Sequence, residues 1–241
     1  GGPRLNGMYP LRLAPTWREK IWGSTDLRPL FGHCDHRIGE VWYTFEENTV
    51  TNGPWSGRTL EQLMARERAA LMGTAFRPRL LRRRSAGEAA RADFEAAVAY
   101  FPLLVKFLFT SDRLSVQVHP DDAYALAHED GPGKTEMWYV LRADPGAAIA
   151  LGLTEPLSPA RLREAAASGE IERYLNWVPV QPGAAIYCQA GTLHAIGAGL
   201  ALCEIQQNSD ITYRLYDWNR PGLDGKPRAL HVEQALEVMA K

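Results

Sequence analysis

The chain has 241 residues, of which 23% are charged, and a formal net charge of -1. That balance provides no field to draw the protein to nucleic acid or an anionic membrane, and this length can bury a sizeable core. Seven Trp, 9 Tyr and 7 Phe are spread along it, which suits a globular core and a walled pocket for a small molecule more than a disordered tail. Cys34, Cys188 and Cys203 are odd in number and lack CxxC spacing, so they point to a reducing compartment instead of a disulfide framework. The N-terminal GGPRLNGMYPLRL lacks the apolar core of a signal peptide, and the most apolar stretch, 96–110, is broken by Pro102 and Lys106. A cytoplasmic location is expected. Met8 would make a natural start, and an added segment over Gly1 to Gly7 is one of two readings that the sequence leaves open.

Residues 9–55 are rich in Trp, Pro and Gly with short apolar runs such as Gly39-Glu40-Val41-Trp42-Tyr43-Thr44-Phe45, whose β-branched and aromatic residues favour strand. Thr59 with Gln62 forms a capping box that opens a helix, and Leu60, Leu63, Met64 and Leu71 approximate one apolar face until Gly73. A second helix is expected over Glu88 to Tyr100. The intervening basic run from Arg77 to Arg84 is too short and isolated to argue for nucleic acid. From Leu103 onward strands follow one another: Leu103 to Phe109, Leu114 to Val118, Met137 to Leu141, Ala147 to Leu151, Ala184 to Tyr187, Leu200 to Gln206 and Thr212 to Tyr216. Pro145-Gly146 and Pro182-Gly183 are turn signals between them. One helix interrupts the series, with Ser158 as N-cap, Pro159 at the first position and Gly169 at the C-terminal cap, and a last helix covers His231 to Met239. Many short strands without regular strand–helix alternation predict a mainly β jelly-roll barrel with added helices. One domain over 1–241 is expected, with helical insertions near 59–100 and 158–172.

The segment Ser115-Val116-Gln117-Val118-His119-Pro120-Asp121-Asp122 carries the clearest chemistry, because strand alternation puts Gln117 and His119 on one face with Val116 and Val118 on the other. Glu136 opens an apolar run, and His194 follows the turn Gln189-Ala190-Gly191-Thr192. An imidazole, a carboxylate and a second imidazole from separate strands can hold one divalent metal and leave a coordination position open. His33-Cys34-Asp35-His36 also groups metal-capable side chains, but without a further ligand set it reads as a loop. Cys188 and Cys203 fall in predicted strands and read as structural.

The motifs LSVQVHPDD, GKTEMWYVL, AGTLHAIGAG and EIQQNSDITYRLYDW resemble successive signatures of type I mannose-6-phosphate isomerases, which are zinc-dependent cupins. The likeness runs from Pro15-Thr16-Trp17 and Trp22-Gly23, through Ile38-Gly39-Glu40 and the stretch from Phe101 to Lys106, to the closing Leu230-His231-Val232-Glu233-Gln234. It implies a cupin double-stranded β-helix and a reversible conversion of mannose 6-phosphate to fructose 6-phosphate through an enediolate. It also implies one zinc ion on Gln117, His119, Glu136 and His194, of which the glutamine oxygen is the weakest ligand. Arg214 matches the family's active-site arginine, and a fixed cation there would stabilise the developing enediolate; the competing reading is an ion pair with Asp210 or Asp217. Glu204 is favoured as proton carrier, with Lys134 and Asp210 as the other candidates. Lys106, Ser115 and Lys134 match residues that the family places near the phosphate, although lysines in general more often lie exposed over apolar neighbours. The partner implied is a sugar phosphate, with no organic cofactor, nucleic acid or membrane, in a monomer or homodimer. The alternatives are a cupin isomerase for another sugar phosphate and a non-catalytic, metal-containing cupin that binds one.

The sequence departs from the family pattern at Gln189, where a proline is usual, at Ala184, where an acidic residue is common, and at Phe109-Thr110, where a polar pair is frequent. These alter turn rigidity and packing more than the ligand set. Many relatives also continue into a further β domain beyond the position of Lys241, which implies a pocket closed without it or by self-association.

Overall fold

The computed structural model describes residues 9–73, 101–129 and 131–239. The helix expected over Glu88 to Tyr100, the basic run from Arg77 to Arg84 and the segment Gly1 to Gly7 lie outside the described residues. Among the latter there are eleven strands: β1 (Thr16–Asp26), β2 (His33–Trp42), β3 (Leu103–Phe109), β4 (Val116–Val118), β5 (Glu136–Ala143), β6 (Ala148–Leu153), β7 (Leu175–Pro179), β8 (Ala185–Cys188), β9 (His194–Ile196), β10 (Leu200–Gln207) and β11 (Tyr213–Tyr216). The helices are α1 (Leu60–Met72), α2 (Asp122–His128), α3 (Pro159–Ser168) and α4 (Val232–Val238).

The strands form two antiparallel sheets, a six-stranded one in the order β1-β2-β3-β10-β5-β8 and a five-stranded one in the order β11-β4-β9-β6-β7. Their inner faces meet where Leu108, Trp138, Val140 and Leu202 of the larger sheet pack with Ile149 and Ile196 of the smaller. The outer face of the smaller sheet is apolar as well, because Val116, Val118 and Leu215 are buried with Leu162 and Ala165 of α3 and Ala235 of α4. Two facing sheets with helices added outside are the double-sheet form of a jelly roll, so the mainly β cupin expectation holds, with the hydrogen bonding divided between two sheets.

Local signals act as the sequence suggests. The capping box at Thr59 and Gln62 is closed in both directions, and Leu60, Leu63 and Met64 are the buried residues of α1. Ser158 caps α3 by accepting from the Arg161 amide, Pro159 occupies its first turn, and Gly169 ends it in the left-handed region at φ 82. Asp121 caps α2 by accepting from the Tyr124 amide. Two differences concern the N-terminal part, where short strands were expected. β1 and β2 are long and pair with several register shifts, and His33-Cys34-Asp35-His36 is the start of β2 and not a loop. β7 and β9 were not foreseen; β9 has three residues and β7 ends in Pro179, so neither offers enough alternation to register.

Leu202 is fully buried and stands opposite both Leu108 and Val140. Leu202→Ala is expected to lower the unfolding free energy by about 3 kcal/mol through lost burial and a residual cavity, read as a shift of the urea midpoint at unchanged slope. No described helix is long and apolar enough to cross a membrane.

Candidate metal centre and active-site cavity

Register puts the chemistry between the sheets. On the larger sheet, Glu204 stands opposite Lys106 on one side and Trp138 on the other, Lys106 stands opposite Trp42, and Gln206 stands opposite Glu136. Cross-strand partners share a face, so Lys106, Glu204 and Glu136 all point inward. On the smaller sheet Gln117 stands opposite both Arg214 and His194, which places those three side chains on the facing wall. His119 follows directly after β4.

Two close approaches fix the ligands. The loop before β5 crosses the start of α2, where a Cβ on Gly133 would meet the carbonyl carbon of Asp121 at 2.4 Å. Only glycine fits there. The Gly133 amide donates to Asp122 Oδ1 at 3.0 Å and the Lys134 amide to the Pro120 carbonyl at 3.0 Å, holding Lys134 and Glu136 beside His119. In the turn before β9, Gly191 has φ 86 and its amide donates to the His119 carbonyl at 2.8 Å, which sets His194 against His119.

His119, Glu136 and His194 are buried, and their ligand atoms lie within 4.8 Å of one another. His119 Nε2 is 2.7 Å and His194 Nε2 3.2 Å from Glu136 Oε1. Both imidazoles are turned by carbonyls that can only accept: His119 Nδ1–H donates to Ile211 O at 2.9 Å and His194 Nδ1–H to Thr192 O at 2.9 Å. Each Nε2 therefore presents its lone pair to the centre, the arrangement that orients metal-bound histidines. Despite their proximity, His119 Nε2 and Glu136 Oε1 make no well-directed hydrogen bond. Convergent acceptors left orphaned in a buried site are what a divalent cation would satisfy. Burial, with the charge of Lys134, pushes His119 down to about 3, so it is neutral and able to ligate. Burial raises Glu136, but the Lys134 charge and the His194 contact outweigh it and hold the carboxylate well below its ordinary range. Gln117 Nε2 lies 3.3 Å from His194 Nε2, while its Oε1 accepts from Ser115 Oγ at 3.0 Å. A half-turn of the amide presents the oxygen to the same centre.

A cavity of about 270 Å³ opens beside these ligands, with Lys106, Ser115, Lys134, Glu204, Asp210 and Arg214 all in its wall. The cavity thus brings the sequence-derived site residues together, with His119 and His194 buried behind it. Lys106 and Lys134 are each only 4% exposed, which rules out surface lysines. Lys106 Nζ is 3.3 Å from Glu204 Oε1 and 3.6 Å from Glu40 Oε1. Lys134 has no ion pair within 4.0 Å among the described residues. Burial pushes Glu204 up to about 8, against the pull of Lys106. Arg214 has no ion pair among the described residues: Nε donates to Ser115 Oγ at 3.3 Å and Nη1 to the Ala229 carbonyl at 2.9 Å. Asp217 is taken by Arg228 and Arg220, and Asp210 is exposed at the rim without an ion pair among the described residues.

Several cavity residues escaped the sequence reading as site residues. Glu40 and Trp22 come from the larger sheet, and Lys20, whose Nζ is 3.4 Å from Glu40 Oε2, comes with them. Burial would raise Glu40, but Lys106 and Lys20 hold it down to about 2. Its signal was Glu40 two residues before Trp42 in a strand, a charge on an inward face. Arg228 and His231 follow in a polar loop with no pattern to mark them. His33, Cys34, Asp35 and His36 do not converge on a common centre: among the described residues only His119, Glu136 and His194 form such a group. Cys188 is buried with Sγ 3.4 Å from His194 Nδ1, and all three cysteines are free.

A double-sheet jelly roll enclosing a His-Glu-His candidate metal centre beside a polar, cation-lined cavity defines a cupin-type protein. No family model matches the sequence. A mannose-6-phosphate isomerase of Streptococcus mutans is 40% identical over 236 residues, 95% of this chain and 67% of that protein. The mannose 6-phosphate isomerase structure from Bacillus subtilis matches with a TM-score of 0.81 at 36% identity, covering 97% of this chain and 69% of that one. A zinc-bound holo form of mannose 6-phosphate isomerase shares the fold, with a TM-score of 0.61 at 18% identity over 95% of this chain and 74% of that one. The chain belongs to the mannose-6-phosphate isomerase family.

Proposed function

We propose that this chain is an aldose–ketose isomerase that interconverts mannose 6-phosphate and fructose 6-phosphate through an enediolate, with one zinc ion held by His119, Glu136, His194 and Gln117. The observation that carries the reading is the convergence of three buried ligand atoms within 4.8 Å, opening onto a cavity in which Arg214 and Lys134 have no carboxylate of their own. Nitrogen and oxygen ligands without thiolate suit zinc, the ion held by the holo structure that shares this fold. When bound, the ion supplies positive charge for oxygens that become negative as the proton leaves carbon.

The chain's own groups divide the remaining work. Arg214, tethered through Ser115 and the Ala229 carbonyl, sets a rigid cation against the enediolate oxygens. Glu204 moves the proton between C2 and C1: a carboxyl pushed up to about 8 by burial is near the balance point that general acid–base work requires. Lys134 and Asp210 are the other carriers within the cavity. Lys106, paired with Glu204 and Glu40, orients Glu204 and closes the floor, while Ser115 and Lys134 bind substrate oxygens. Burial of the lysines and glutamates excludes bulk water from the reacting carbons. The unit acts as a single cupin-type enzyme over 1–241, monomeric or homodimeric. Its near-neutral charge argues against nucleic acid as a partner, and three free cysteines suit the cytoplasm.

NMR of the reaction in D2O tests this. Fructose 6-phosphate should accumulate from mannose 6-phosphate, with deuterium entering only the exchanging position at C1 or C2. Absence of conversion by zinc-loaded protein refutes the substrate, and conversion without any label in either sugar refutes a protein-carried proton exposed to solvent exchange.

A further inference from the structure

A second cavity, of about 740 Å³, opens at the opposite end of the same strands. The catalytic cavity stops at Trp22, Leu108, Leu114 and Ile196, which belong to the core between the sheets. Ser24, Thr110 and Gly197, one or two residues farther along the chain than three of these, line the second cavity. Along β5, Glu136 lies at one space and Arg142 at the other, about 20 Å apart at the rise of a strand. An apolar layer thus separates the two, and none of the residues assigned to isomerisation lines the second.

Its wall is held in shape by the backbone. The buried Thr110 hydroxyl donates to the Gly197 carbonyl at 2.8 Å and accepts from the Leu200 amide at 2.9 Å. The Gly199 amide donates to the Thr110 carbonyl at 2.9 Å, and the Asp144 amide to the Gly199 carbonyl at 2.8 Å. A Cβ on Gly197 would run into the Ala148 carbonyl oxygen, and one on Gly199, at φ 76, would meet Asp144 Cβ at 2.9 Å. The β5–β6 and β9–β10 turns are therefore locked against each other at a separation only glycine allows, which makes the surface largely pre-formed. The charges on it cancel. Arg142 Nη1 is 2.9 Å from Asp26 Oδ2, and Asp26 also takes Arg28 at 2.8 Å. Arg113 lies over the Trp218 ring at 3.7 Å with Glu172 3.3 Å away. No net charge is left to draw in a phosphate or a metal ion. Asp144, in contrast, keeps its acceptor capacity: its side chain is 60% exposed and its nearest cation, Arg142 Nε, stands 3.8 Å off. Trp177, half-buried and stacked on Trp218 at 6.5 Å, completes the wall.

We propose that this second cavity binds a neutral saccharide, with Asp144 and Arg142 on its hydroxyl groups and Trp177 against its C–H face. A carboxylate accepts from adjacent hydroxyls, a guanidinium fixed by its own partners donates to them, and an indole covers the apolar side of a pyranose ring. Charge neutrality favours such a ligand over a sugar phosphate. Size separates the two sites as well: the catalytic cavity has about 270 Å³ and the second about 740 Å³, so a disaccharide suits the second and overfills the first. The proposal does not depend on the isomerase reading, since it uses none of the residues of that reaction.

Nitrogen-15-labelled, zinc-loaded protein titrated with maltose, cellobiose and mannobiose, with inorganic phosphate as a separate arm, tests this by amide NMR. At least one disaccharide should shift the Gly146, Gly197 and Gly199 amides in a saturable way, and phosphate should leave them in place. Trp177→Ala and Asp144→Asn should each raise the Kd of that disaccharide about 10-fold, the loss expected for a stacked aromatic or a charge-assisted contact. Turnover of mannose 6-phosphate should stay within about 2-fold in both variants. No shift of these glycines with any of the disaccharides at about 50 mM, where even a millimolar site is filled, overturns the proposal. Shifts confined to the surroundings of His119 and Glu136, a stronger response to phosphate, or an unchanged Kd in the variants overturn it too. Should Trp177→Ala fail to fold, Asp144→Asn, on an exposed turn, carries the same comparison. Loss of isomerase activity with saccharide binding intact would sink the substrate reading and leave this site standing.

Discussion

His119→Ala is expected to abolish metal retention and to lower isomerase turnover by about 10³-fold or more, the scale of losing a charge that stabilises an enediolate. The truncation removes an Nε2 that lies 2.7 Å from Glu136 Oε1 and whose ring is held by Ile211 O, so no neighbouring nitrogen can replace it. His194 and Glu136 then remain with only the weakly donating Gln117 amide, short of a full tetrahedral set. The loss should come from chemistry more than from folding, because the site adds no apolar contact between the sheets comparable to Leu108, Trp138 and Ile149. Metal analysis, steady-state kinetics and far-UV circular dichroism on one preparation check the three parts of this result; full metal content with turnover intact would exclude His119 as a ligand.

Arg214→Ala is expected to lower kcat by about 10²- to 10³-fold while the metal stays bound. Arg214 contacts no ligand atom directly. It donates to Ser115, and Ser115 in turn donates to Gln117, so the centre loses one outer partner and keeps its three buried ligands. The variant also separates two kinds of protein. In a cupin that only binds a sugar phosphate, removing the arginine would weaken binding and leave no rate to lose, whereas in an enzyme kcat itself collapses. Arg214→Lys should restore little, since an ammonium cannot hold Ser115 and the Ala229 carbonyl and still face the cavity. A kcat within a few-fold of the parent in Arg214→Ala would remove it from the reaction.

Much of the fold could be read in the chain because its signals are local. Thr59 with Gln62, and Ser158 with Pro159 and Gly169, mark helices within a few residues of themselves, and they cap α1 and α3 as expected. Gln117 and His119 were legible because a strand repeats every two residues, so two ligands of one site sit two positions apart. Glu40 was not, because its inward position matters only once β2 lies next to β3 and β3 next to β10, a sheet order that no short pattern encodes. Lys106 illustrates the same limit. General exposure statistics place a lysine at the surface, yet register sets it opposite Glu204 and Trp42, where it is buried and charged. Arg228 is found only after the loop beyond β11 has folded back on Arg214, a contact of the tertiary structure. The family resemblance supplied Arg214, whose competing ion pair was excluded only when Asp217 proved to be engaged by Arg220 and Arg228.

The central claim is that this cavity isomerises mannose 6-phosphate by means of a metal held on His119, Glu136 and His194. Titrating metal-free protein with zinc while following fructose 6-phosphate formation tests it most directly. Turnover should be absent at the start, rise linearly and level off at one equivalent per chain. Full turnover in the metal-free protein, or none at one bound equivalent, would contradict it.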